Sequence, residues 1–142
     1  MKNLFEAVAQ LMSSKGEARS VSSHSRSFRC QCGRPVFFSN SLCLACSTPL
    51  GYLPERAAVV PLTTGSAAGL WRVVDDEREY KSCANLHTPA GCNWLVRADD
   101  PNVHCIACRL NRTIPDLADA DNQRYWSAIE GAKRRLVSQL LA

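Results

Sequence analysis

Eight cysteines carry most of the chemistry available to this 142-residue chain. They fall into two sets of four. The first is Cys30-x-Cys32, ten residues, then Cys43-x-x-Cys46. The second is Cys83 and Cys92, with eight residues between them, followed by Cys105-x-x-Cys108. Close cysteine pairs suit a soft, tetrahedral ion. A tight turn places two sulfurs on one side of Zn²⁺, and a second turn closes the other side. Four sulfurs per ion leave no coordination position for water or substrate, so both sites read as structural. Two structural Zn²⁺ ions are expected, one per set.

Two histidines compete for the second ion. His87 lies between Cys83 and Cys92, and His104 adjoins Cys105. The all-cysteine set is the reading adopted. His87 in place of Cys83 or Cys92 is the alternative, and His104 is expected to pack or hydrogen-bond elsewhere. His24, in a polar serine-rich stretch, is expected to be solvated. No histidine pair is spaced i, i+4, no H-E-x-x-H motif is present, and no glycine-rich loop could cradle phosphate. Either C-x-x-C could in principle form a redox pair, but each belongs to a fuller metal set.

No continuous apolar run reaches the roughly 20 residues of a membrane span. The first residues lack the pattern of an export signal, because Glu6 and Gln10 interrupt the apolar stretch. A reducing, cytoplasmic setting is therefore expected, in which paired cysteines bind metal instead of forming disulfides. The formal charge of +4 treats every thiol as neutral. Eight thiolates subtract eight and two Zn²⁺ restore four, so the metal-loaded chain carries no net charge. The apparent basicity is thus a weak argument for nucleic acid.

Five segments must position these ligands. Residues 1–27 read as an extension: a short amphipathic helix over 1–12, built on Leu4, Phe5, Val8, Leu11 and Met12, then a serine-rich linker. Residues 28–54 form the first zinc unit. There Pro35–Ser39 is strand-like, and Asn40-Ser41 turns the chain toward Cys43. Gly33 is expected to let backbone N–H groups face sulfur. Residues 55–80 connect the units through strands at Ala57–Leu62 and Leu70–Val74, with Asp75–Glu79 as a solvated turn. Residues 81–114 form the second unit, with a strand at Asn93–Arg97 and a turn at Asp99–Asn102.

Residues 115–142 read as a helix from about Asn122. Its apolar face is expected to comprise Trp126, Ile129, Ala132, Leu136 and Leu140. Trp71, Trp94 and Trp126 are assigned to the core, and Lys133, Arg134 and Arg135 to a solvated face that complements the helix dipole. Each cysteine set ends in C-x-x-C after a short aromatic strand, which points to two related units. The fold class expected is a small, zinc-dependent α+β fold: two zinc-ribbon-like β units and a C-terminal amphipathic helix.

The stretches CQCGRPVFFSNSLCLAC and CNWLVRADDPNVHCIACRLNRTIPDL, followed by N-x-x-x-W-x-x-I-E-x-A-K-R-R-L-V, resemble the N-terminal part of a bacterial family of zinc-binding metallopeptidases. Such proteins pair a zinc-ribbon front end with a zincin-like domain. The resemblance covers residues 28 to about 140 and implies that the eight cysteines are the structural ligands of the front end. The histidines and glutamate of a catalytic domain are absent from this chain. The chain stops within its last helix, at Val137–Ala142, which reads as a truncation.

Three functions follow as expectations. The first is a non-catalytic zinc-ribbon module that organises a downstream peptidase domain or recruits another chain. The second is a nucleic-acid-binding zinc ribbon that uses Arg109, Arg112, Lys133, Arg134 and Arg135. The third is a functionless fragment. An uncovered apolar helix face would also favour self-association through the C-terminal helix.

Overall fold

A computed structural model of the chain describes residues 27–142. The helix expected over 1–12, His24 and most of the serine-rich linker lie outside the described residues. Seven strands and one long helix follow one another: β1 (Ser27–Arg29), β2 (Pro35–Phe37), β3 (Leu50–Leu53), β4 (Ala58–Thr64), β5 (Leu70–Val73), β6 (Glu79–Ser82), β7 (Leu95–Arg97) and α1 (Ala120–Leu141). The small α+β class expected from the cysteine spacing, β units followed by a C-terminal helix, is the class observed.

Strands β1 and β2 form an antiparallel hairpin, with Phe28 opposite Val36. Its tip is the Cys30–Gly33 turn, closed by bonds from the Gly33 N–H to the Cys30 carbonyl and from the Cys30 N–H to the Arg34 carbonyl. Gly33 has φ +82°. That left-handed conformation, not crowding, requires glycine, because an added Cβ would meet nothing within 4 Å. Pro35 opens β2 on a two-stranded ribbon, where its missing N–H is tolerated.

Strands β3 to β7 form a five-stranded antiparallel meander in sequence order. The meander curls back on itself. Tyr52 of β3 bridges Trp94, just before β7, in parallel fashion, and its N–H donates to the Asn93 carbonyl at 2.8 Å. The approach is close enough that a Cβ on Gly51 would lie 2.6 Å from a Leu95 methyl carbon. Inside the curl, Leu53, Val60, Leu62, Val73, Tyr80 and Leu95 form one apolar cluster.

The second and larger cluster contains cysteines of both sets. It joins Cys30, Cys43, Cys83, Cys92, Cys105 and Cys108 with Val36, Leu50, Tyr52, Val59, Trp94, Val96, Ala107 and Val137. An aromatic triad runs through it. Tyr52 lies 4.7 Å from Trp94 and 4.9 Å from Phe38, which meets Trp94 edge-on at 6.4 Å. The buried Asn93 amide donates to the carbonyls of Phe38 at 2.8 Å and Asn40 at 2.9 Å. It thereby ties the second cysteine loop to the first.

Strand β6 continues where the sequence suggested only a turn. The turn is centred on Val74–Asp75 and closed by the Asp76 N–H bond to the Val73 carbonyl, with Asp75 at φ +61°, and Glu79 already pairs with Arg72 across the sheet. Asp76 is not solvated. Its carboxylate takes Arg78 at 2.9 Å and the Tyr80 hydroxyl at 2.7 Å.

Helix α1 begins two residues before the position expected. Asp119 caps it by accepting from the Asp121 and Asn122 N–H groups at 2.8 and 3.2 Å. Its inward face differs from the expected one. The buried row is Trp126, Glu130, Arg134 and Val137, whereas Ile129 is 63% exposed, Leu136 56% and Leu140 75%. Glu130 is buried in an ion pair, and Arg134 is buried with a backbone carbonyl as its polar contact. Glu130 holds Lys133 at 2.9 Å and Asn111 at 3.2 Å, and Arg134 donates to the Ala90 carbonyl at 2.9 Å. No helix among the described residues is long and apolar enough to cross a membrane.

Candidate metal centres

The fold delivers the eight cysteines from three short turns and the longer loop between β6 and β7. Cys30 and Cys32 sit at the tip of the β1–β2 hairpin. Cys43 and Cys46 sit in a second turn, closed by the Leu42–Pro49 bridge, the Cys43 N–H bond to the Thr48 carbonyl and the Ser47 N–H bond to the Cys43 carbonyl. Cys83 directly follows β6, and Cys92 precedes β7 after a short 3₁₀ turn at Ala84–His87. Cys105 and Cys108 follow β7, where a bond from the Arg109 N–H to the Cys105 carbonyl winds the turn.

Each set converges on one point. Within each, the four sulfurs lie within 4.8 Å of one another. Tetrahedral zinc with Zn–S near 2.3 Å requires sulfur–sulfur edges of about 3.8 Å. The observed separations are 3.6 Å for Cys30–Cys46, 3.8 Å for Cys32–Cys43 and 3.6 Å for Cys92–Cys105. The donor sets therefore fit the ion. The long loop from Cys83 to Cys92 brings both of its cysteines into the same set as the C-x-x-C half. Neither histidine joins a set among the described residues: His87 is exposed on the 3₁₀ turn, and His104 is half-buried beside Cys108 and Trp126.

The electrostatics of each set also call for a cation. Crowded thiols cannot all ionise together, so neighbours are driven apart. In the first set, the Thr48 hydroxyl leads the groups that bring Cys46 down to about 6. At Cys30, the N–H of Cys32 pulls downward, but burial and the neighbouring sulfurs prevail and push it up to about 11. In the second set, bonds from Cys105 and its neighbours lower Cys83 and bring Cys108 down to about 6, while bonds with Cys105 and Cys108 raise Cys92. A dication at the centre removes the conflict by stabilising all four thiolates at once.

Hydrogen bonds to sulfur complete each site. The Gln31 amide donates to the Thr48 hydroxyl at 2.8 Å, so that oxygen directs its own hydrogen to Cys46 sulfur, 3.1 Å away. The Cys105 N–H donates to Cys83 sulfur at 3.3 Å. The turn closed at Gly33 turns a backbone N–H toward sulfur, as expected: the N–H that faces Cys30 sulfur belongs to Cys32, while the Gly33 N–H itself bonds the Cys30 carbonyl. Sequence reading missed Gln31 and Thr48. Their only signal was proximity to ligands, and it is the fold of the second turn that brings the two together.

The two centres differ in burial. All four cysteines of the second set are buried, whereas in the first Cys32 and Cys46 are exposed. Four cysteines saturate each tetrahedral ion, so each site holds zinc to organise the chain. The five basic residues weighed for nucleic acid do not form one open surface. Arg134 is buried, Lys133 is held by Glu130 and Asn111, and Arg109 faces Asp100 at 3.8 Å. Arg112 and Arg135 are exposed.

Among known proteins, the chain is 35% identical over 116 residues to an uncharacterized protein of Mycobacterium bovis and to uncharacterized proteins of two Mycobacterium tuberculosis strains. The alignment covers 81% of this chain and 30% of each relative. The chain thus spans about a third of the length of these curated relatives. No solved structure matches. A family described as a zinc-ribbon domain matches residues 27–119, ending at the residue that caps α1. With that match extending over more than half its length and both cysteine sets closed around ion-sized centres, the chain belongs to the zinc-ribbon domain family.

Proposed function

We propose that this chain is a non-catalytic zinc module whose helix α1 docks a protein partner, the zincin-like domain of longer proteins built on the same ribbon. One observation carries the docking. The outer face of α1 presents Tyr125, Ile129, Leu136 and Leu140 at helical spacing, all more than half exposed, beside the buried row of Trp126, Glu130, Arg134 and Val137. Such a row rewards a partner helix or groove. The resemblance of the cysteine-bearing stretches to metallopeptidase front ends supplies the kind of partner. The greater length of the mycobacterial relatives is consistent with further domains in such proteins. Saturated coordination at both ions supports a role without turnover.

Sedimentation of the zinc-loaded chain tests this, alone and mixed with the remaining part of the Mycobacterium bovis relative. A 1:1 complex that Ile129→Glu and Leu136→Glu abolish, with the zinc content of the chain unchanged, is the expected result. No complex, or a homodimer on the same face, would overturn the choice of partner. Salt-dependent binding to DNA or RNA would favour the nucleic-acid reading instead. Zinc-dependent peptide cleavage by the chain alone would refute the non-catalytic role.

A further inference from the structure

From the unequal burial of the two centres, we infer that the first cysteine set is an oxidant-responsive zinc site. Peroxide converts its thiolates to disulfides and releases its ion, while the second set keeps its own.

Oxidation of a thiolate requires that the oxidant reach sulfur and that a second sulfur stand near enough to resolve the product. The first set meets both conditions. Cys46 and Cys32 are exposed, and each has a buried partner close by: Cys30 sulfur lies 3.6 Å from Cys46 sulfur and Cys43 sulfur 3.8 Å from Cys32 sulfur. The turn that carries Cys46 stands at the surface, with Leu44 at its tip 92% exposed. The second set has sulfurs as close, 3.6 Å for Cys92–Cys105, but all four of its cysteines are buried. The distances are alike, so access decides the order.

The steps balance. Cys46 thiolate attacks one peroxide oxygen, the O–O bond breaks, and sulfenic acid and hydroxide form. Cys30 thiolate then attacks the Cys46 sulfur, the S–O bond breaks, and a disulfide and a second hydroxide form. Two electrons pass from sulfur to peroxide. Two thiolates remain, Cys32 and Cys43, too few to hold the ion against solvent. A second peroxide oxidises them by the same route. Per chain, two peroxides and four thiolates give two disulfides, four hydroxides and one free Zn²⁺. A dithiol reductant with added Zn²⁺ reverses the change.

This inference does not depend on the docking proposal, because it concerns metal release by the chain alone. The experiment uses the full chain carrying two Zn²⁺, treated with hydrogen peroxide in the presence of a chromogenic zinc chelator that does not strip either site unaided. The expected result is release of one zinc per chain, several-fold faster than the second. Peptide mapping at that point should find disulfides within Cys30, Cys32, Cys43 and Cys46 while Cys83, Cys92, Cys105 and Cys108 still alkylate after unfolding. Dithiothreitol and Zn²⁺ should restore two ions. Release of both ions at one rate, earlier oxidation of the second set, or zinc loss without a disulfide in the first would overturn the inference.

Discussion

At the scale of single residues, the sulfur ligands are supported by neighbours that touch no metal. Thr48 illustrates how. Its hydroxyl accepts from Gln31, which leaves its hydrogen for Cys46. A donor to a ligating sulfur spreads the thiolate charge and fixes the side chain. Thr48→Val removes the donor at similar size and should weaken zinc at the first site by ~10–100-fold, the usual cost of losing such a partner. Competition with a chelator of known affinity reads the change, and the second site should be unaffected. Away from the metal, burial first, and then the bond to Asp76, push the Tyr80 hydroxyl up to about 12. A raised value means that the folded chain holds this proton more tightly than the unfolded chain. Its contribution to stability is intact below about pH 10, the ordinary tyrosine value, and is lost as pH rises through about 12. Tyrosinate absorbance should show a late alkaline phase that Tyr80→Phe diminishes, the buried Tyr52 supplying the rest.

At the scale of elements, helix α1 shows where a pattern of apolar residues misleads. Reading Ile129, Leu136 and Leu140 as inward assumes that the buried side of a helix is its apolar side. Here the buried side carries Glu130 and Arg134, each matched to a partner that only the folded chain supplies: Lys133 and Asn111 for one, the Ala90 carbonyl for the other. No spacing rule reveals a carbonyl 44 residues away. Arg134→Met keeps much of the volume but strands that carbonyl, and should cost about 1–3 kcal/mol in denaturant unfolding. Arg135→Ala on the exposed side should stay within about 0.5 kcal/mol. The strands were easier. Val59, Val60 and Leu62 in β4 and Trp71 and Val73 in β5 are β-branched, aromatic or large, with turn residues Gly65, Ser66 and Gly69 between them. The sequence could not show that β3 and β7 meet, because the Tyr52–Trp94 contact joins segments about 40 residues apart through a parallel bridge. Gly51, which makes room for Leu95 there, gave no local sign of that role.

At the scale of the whole molecule, the cysteines were legible because metal chemistry is local in sequence: three of the four cysteine pairs are C-x-C or C-x-x-C. Their mutual dependence was not. The two sets read as separate units, yet both contribute to one cluster with the Phe38–Tyr52–Trp94 triad, and Asn93 bonds the second loop to the first. Both centres thus pack into one core, and stripping both ions should disorder far more than residues 28–54. The most direct test of the account is native mass spectrometry of the chain, with the denatured mass as reference. Two Zn²⁺ per chain, falling to one when either Cys43 or Cys105 is replaced by serine, is the predicted result. One ion or none in the unaltered chain would contradict the claim that both four-cysteine sets are structural zinc centres.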